Sequence, residues 1–112
     1  MSEAINETGL VKQIVKAVLE QYPDTWGFKV HGSAWQPAGI PDLLFCIQGK
    51  LFGFEVKHQK PGESREHAYG RATEHQLDQI AGIKAAGGTA AVVLSVEEVL
   101  DHIEKGLQGL HL

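Results

Sequence analysis

Two acids and a lysine stand out by type and spacing: Asp42 directly after Pro41, then Glu55 and Lys57 on either side of Val56. Between them lie two short apolar runs, Leu43 to Ile47 and Leu51 to Val56, separated by a turn at Gln48 and Gly49. Runs of that length, bounded by Pro and Gly, fit strands better than helices. A turn centred between Gln48 and Gly49 pairs Ile47 with Lys50 and, further down the ladder, Asp42 with Glu55. Directly opposed residues of an antiparallel pair carry Cβ atoms about 4.5–5.5 Å apart. Lys57 lies two residues beyond Glu55 and therefore faces the same way. Two carboxylates and an amine thus meet at one end of an apolar hairpin. The acids repel each other unless a cation sits between them, and a divalent metal is the natural occupant.

That set matches the needs of phosphodiester hydrolysis. Carboxylate oxygens hold Mg²⁺ or Mn²⁺ with positions left for water and phosphate. A nearby ammonium holds the attacking water and offsets charge growing on phosphorus. Asp42 and Glu55 supply the first, Lys57 the second, and the backbone carbonyl of Val56 can add a ligand. Glu7, at the start of a helix, serves either the helix dipole or the same site, through a metal-bound water or a second ion.

The elements that must position these groups follow from the rest of the chain. With 112 residues there is room for one domain, 1–112, and a modest core. The composition, 43% hydrophobic and 21% charged, is that of an ordinary soluble globular protein. No 18-residue apolar run and no signal pattern is present, so neither a membrane span nor a secretory leader is expected. The single cysteine, Cys46, lies inside a strand and reads as a buried, inert thiol, in keeping with a reducing cytoplasm. The net charge of −4 argues against a broad cationic surface. Basic residues nevertheless gather in one stretch, with Lys50, Lys57, Lys60, Arg65 and Arg71 interspersed with His58, His67 and His75.

A first helix is expected over Glu7 to Gln21, or from Glu3 behind Ser2, with Leu10, Val11, Ile14, Val18 and Leu19 as its apolar stripe. Trp26 to His31 alternates and reads as a strand. Gly32 to Gly39 is a loop in which Trp35 is either a packing anchor, the favoured reading, or an exposed ring for a partner, and His31 reads more readily as structural than as a ligand. His58 to Ala72 reads as a mobile loop, long enough to suggest function. Thr73 to Gln76 is a capping box opening a helix to about Ala86 that buries Leu77, Ile80, Ala81 and Ile83, ended by Gly87-Gly88. Thr89 to Leu94 is a short strand. Ser95 opens a last helix to about Lys105, and Leu107, Leu110 and Leu112 form an apolar tail that packs on the domain or on a second subunit. The three histidines lack the spacing or cysteine partners of a zinc site and read as solvated or phosphate-facing. The order α, β, β, β, α, β, α gives an α/β fold, a mixed sheet flanked by helices.

On these residues the chain resembles a known superfamily. Pro41-Asp42 followed by Glu55-Val56-Lys57 matches the PD-(D/E)XK nuclease signature. Gly39-Ile40-Pro41-Asp42, Phe54-Glu55-Val56-Lys57, Gln76 and Gly87-Gly88 are similar to its VRR-NUC branch, the virus-type replication-repair nucleases, over about Glu7 to Glu98. The resemblance implies a restriction-endonuclease-like αβββαβ core with an extra C-terminal helix. It implies that Asp42 and Glu55 bind Mg²⁺ or Mn²⁺, that Lys57 assists the nucleophile, and that Glu7 and Gln76 complete the site. Gln76 is equally explained by its capping role. Small stand-alone members are Holliday-junction-resolvase-like homodimers, which implies branched DNA as partner, a bacterial or phage-infected cytoplasm, and no organic cofactor. The acidic charge and His58 after the lysine depart from the more basic members. The rival reading is a non-cleaving module that binds branched DNA or a protein. A restriction-type enzyme reading a sequence is a third, with no dedicated recognition element to support it.

Overall fold

The computed structural model describes residues 6–109. Helix α1 (Glu7–Gln21) starts where the Asn6 side chain accepts a hydrogen bond from the Gly9 N–H at 2.8 Å. An earlier start behind Ser2 lies outside the described residues. Leu10, Val11, Ile14 and Val18 are buried along one stripe. Leu19, expected on that stripe, is 44% exposed, because it lies about 100° round the helix from Val18.

Strands β1 (Trp26–Lys29), β2 (Leu43–Ile47) and β3 (Lys50–Val56) form an antiparallel meander. The expected β2–β3 register holds at every pair, from Ile47 with Lys50 to Leu43 with Phe54. Gln48 at φ 52° and Gly49 at φ 77° make the tight turn, both on the left-handed side that a two-residue hairpin favours. β1 stops short of His31, although the Val30 N–H still donates to the Asp42 carbonyl at 2.8 Å.

The stretch expected as a mobile loop carries instead a short helix, α2 (Arg65–Gly70), capped by Ser64. Around it Glu63 accepts from Arg71 Nε at 2.9 Å, Arg71 Nη2 at 3.1 Å and the Lys60 N–H at 2.9 Å. Arg71 also donates to the His58 carbonyl, and Arg65 and Tyr69 both reach Glu98. Sequence periodicity does not register charged networks of this kind. Helix α3 (Glu74–Ala85), strand β4 (Thr89–Val93) parallel to β3, and helix α4 (Val96–Leu107) complete the order. The sheet runs β1-β2-β3-β4. Lys50 Nζ donates to the Gly106 carbonyl at 2.9 Å, closing the end of α4. Leu107 packs against the core, while Leu110 and Leu112 lie outside the described residues.

The two faces of the sheet differ. Leu43, Phe45, Phe52, Phe54 and Val56 are buried in one cluster with the stripe of α1 and with Val99 and Ile103 of α4. α3 lies on the other face, against Gly53, where an added Cβ would stand 2.8 Å from Ile83 Cδ1. It covers that face only in part. Of the four residues expected beneath α3, Ile80 is buried and Ile83 half-buried, whereas Ala81 is exposed and Leu77 is 51% exposed. Trp26, Phe28, Cys46 and Leu51, which register and alternation place on this same face, are also exposed. Cys46 is therefore not the buried thiol expected, because no helix among the described residues reaches over its end of the sheet.

Gly39 joins the layers. At φ 85° it lies where an added Cβ would meet the backbone of His75 and Gln76. Gly49 also has positive φ, but open space around it. Gly39→Ala is therefore expected to lower stability by at least about 1–3 kcal/mol, and Gly49→Ala by less, in denaturant melts. Equal losses would place the Gly39 loop away from α3.

The Arg71 guanidinium, then the Lys60 N–H, hold the Glu63 carboxyl down to about 2. A depressed acid stabilises the fold above its ordinary value of 4.5 and loses that contribution as pH falls through about 2. Thermal melts should therefore fall more steeply below pH 4.5 for the wild type than for Glu63→Gln. Parallel curves would show that the ion pair does not form in solution.

Candidate active site

The hairpin register carries Asp42 to a position opposite Glu55, one step past the last Leu43–Phe54 pair. There β2 has ended, and the Asp42 side chain takes over as partner: its Oδ2 accepts from the Val56 N–H at 2.9 Å. A residue's N–H and C=O leave the same edge of a strand. The Val56 carbonyl therefore points to the edge where Asp42 sits. On its other edge the strand is held by β4, with the Lys57 N–H donating to the Val93 carbonyl at 3.0 Å.

Glu55 is the one buried charged residue in the described core, 2% exposed. Its Oε2 lies 3.5 Å from Lys57 Nζ, longer than a good hydrogen bond, and its Oε1 accepts no hydrogen bond among the described residues. Burial first, and the Asp42 carboxylate second, push the Glu55 carboxyl up to about 8 from 4.5, and Lys57 only partly counters them. Two unit charges about 4 Å apart near a protein surface repel by about 4 kcal/mol. An acid placed beside another acid, out of water and with an orphaned oxygen, is a destabilising arrangement unless something positive completes it. The donor set of two carboxylates and a backbone carbonyl is that of a hard divalent cation, so the residues fit Mg²⁺ or Mn²⁺.

The structure brings together Asp42, Glu55, Val56 and Lys57. Glu7 stands apart from them. It is exposed on the first turn of α1, whose buried stripe covers the opposite face of the sheet. Among the described residues no group of three or more His, Cys, Asp and Glu side chains gathers, so Glu7 does not join the acid pair. Gln76 forms the expected capping box: its Oε1 accepts from the Thr73 N–H at 2.9 Å, and its N–H donates to Thr73 Oγ1 at 3.2 Å. None of these bonds reaches Asp42, Glu55 or Lys57. Gln76 does line a hollow of about 350 Å³ under the segment leading to Pro41, on the face that carries the acids.

Two solved structures share this architecture. One, titled a VRR_NUC domain, is 23% identical with a TM-score of 0.55, the match covering 83% of this chain and 92% of that one. The other, titled a VRR_NUC domain protein, is 20% identical with a TM-score of 0.59, covering 96% and 92%. The fold is that of a VRR-NUC domain. No family model matches the sequence, and neither does any curated protein. The VRR-NUC fold here consists of the expected αβββαβ core with α2 inserted before α3 and α4 added at the end. The Asp42–Val56 hydrogen bond and the orphaned Glu55 oxygen could not be read from residue spacing, although the register that creates them could.

The raised Glu55 acid has a measurable consequence. A group whose folded value exceeds its unfolded value contributes most below the latter, and that contribution is lost as pH rises through the former. In chelator, the wild type should therefore lose thermal stability relative to Glu55→Gln between pH 4.5 and about 8. A difference that stays flat across that range would place the Glu55 carboxyl in water.

Proposed function

We propose that this chain is a Mg²⁺- or Mn²⁺-dependent DNA endonuclease. The observation that carries the reading is Glu55: a buried acid beside Asp42, with one oxygen unpartnered and Lys57 alongside. Asp42, Glu55 and the Val56 carbonyl would hold the cation, and Glu7 and Gln76 are outer candidates through movement or through water. Bound there, the cation supplies a Lewis acid for a phosphodiester and a source of nucleophile at neutral pH.

The chain's own groups do the rest. Asp42 is fixed by the Val56 N–H, so its remaining oxygen is aimed rather than free to rotate. Lys57 stays half-buried and close to Glu55, where its ammonium can orient water and offset charge developing on the phosphoryl oxygens. Water adds to phosphorus and gives up a proton, the bond from phosphorus to the 3′ oxygen breaks, and that oxygen takes up a proton, leaving a 5′-phosphate and a 3′-hydroxyl.

The substrate we propose is branched DNA, a Holliday junction or related structure, cut by a homodimer. The net charge of −4 supports selection by shape over general backbone attraction. The second copy is supported by β1, an edge strand whose four residues are all exposed, with Trp26 66% and Phe28 49% in solvent. Among the described residues no helix is long and apolar enough to cross a membrane.

Asp42→Asn and Lys57→Ala should each reduce Mg²⁺-dependent cutting of a labelled four-way junction by about 10²-fold or more, with circular dichroism unchanged. Full activity in either variant would remove the assignment. Binding of the junction without product, across metal and pH settings, would instead favour a non-cleaving module.

A further inference from the structure

Of the two readings of Trp35, packing anchor or exposed ring for a partner, the structure shows the second: it is 95% exposed, the most solvated large apolar side chain described. Its backbone is held in place: the Trp35 N–H donates to Ser33 Oγ at 3.3 Å, and the Gln36 N–H to the Ser33 carbonyl at 3.4 Å. The segment is pinned at both ends, by the Val30 N–H to the Asp42 carbonyl and by Gly39 against His75 and Gln76. Its end leads directly into Pro41 and Asp42. The turn therefore leaves a bare indole in solvent, seven residues before Asp42 in the segment that leads to the acid pair.

Behind the turn lies the hollow of about 350 Å³, walled by both chain neighbours of Trp35, Ala34 and Gln36, and by Ser33, Ile40 and Gln76. Gln76 has committed its amide oxygen to Thr73, and its amide N–H groups take no part in the capping box. An aromatic face next to a pocket with hydroxyl and carboxamide walls matches a nucleobase better than an apolar peptide. Stacking requires a base whose face is open, which a continuous duplex does not offer and an unpaired or branch-point base does. On a chain of net charge −4, contacts to bases also make up for weak general attraction to phosphates.

We infer that Trp35 and the hollow behind it bind an unpaired nucleotide flanking the cleavage site, with the indole stacked on its base. This rests on the nuclease reading and adds to it the element that selects non-duplex DNA. The chain has two tryptophans, so the emission that the wild type has and Trp35→Phe lacks is that of Trp35. In chelator, single-stranded DNA and a splayed fork should quench that emission, and a long duplex should not. By fluorescence anisotropy of labelled DNA, Trp35→Ala should weaken fork binding about tenfold or more while leaving duplex binding unchanged, and Trp35→Phe should restore most of it.

Three results would overturn the inference: emission unchanged while the fork binds, equal loss of fork and duplex binding in Trp35→Ala, or a change in sedimenting mass showing that Trp35 touches a second copy. If the wild type cuts a junction while Trp35 stays silent, this inference alone falls. If the protein neither binds nor cuts any DNA, the nuclease reading falls with it.

Discussion

The tight turn at Gln48-Gly49 is the constraint on which the site depends. With both residues at positive φ, its twist matches that of the strands it joins and allows one register. A slip of one residue would turn either Phe45 or the pair Phe52 and Phe54 out of the core, and Asp42 away from Glu55. The apolar pairing and the acid pair are thus products of a single geometric decision. The core enforces the register, and the carboxylates are carried along by it.

Placing Glu55 at the end of that ladder works against stability. Its neighbours in the strand, Phe54 and Val56, are fully buried, and the acid shares their desolvation without a partner for one oxygen. The stabilisation that offsets it lies on the other face, where α1 and α4 close over a cluster of phenylalanines, valines and isoleucines. The face that carries the acids is thinly covered: α3 shields β3 and β4 and leaves Trp26, Phe28 and Leu51 in solvent. One side of the sheet is a packed scaffold and the other is left largely open.

How much of this was legible in the sequence depended on range. Local signals held: the Glu7–Gln21 bounds of the first helix, the Thr73–Gln76 capping box and the hairpin register all follow from neighbours within a few residues. Signals that depend on distant partners did not. Helix α2 owes its order to pairs that form only once folded, Arg71 with Glu63 and Arg65 with Glu98, the latter 33 residues apart. Cys46 and Leu77 looked buried because they sit on apolar faces, yet coverage depends on how far α3 extends across the sheet. Trp35 was readable as an anchor or as an exposed ring, and Glu7 as a dipole partner or as a site residue, because neighbours in sequence cannot say what a side chain meets across the fold; the structure leaves both exposed.

The central claim is that Asp42 and Glu55 are incomplete without a divalent cation. Calorimetric titration of Mn²⁺ into metal-free protein tests it most directly, with Asp42→Asn and Glu55→Gln run alongside. A saturable site in the wild type that disappears in both variants is the expected result. Binding that survives either substitution, or no binding by the wild type, would contradict it.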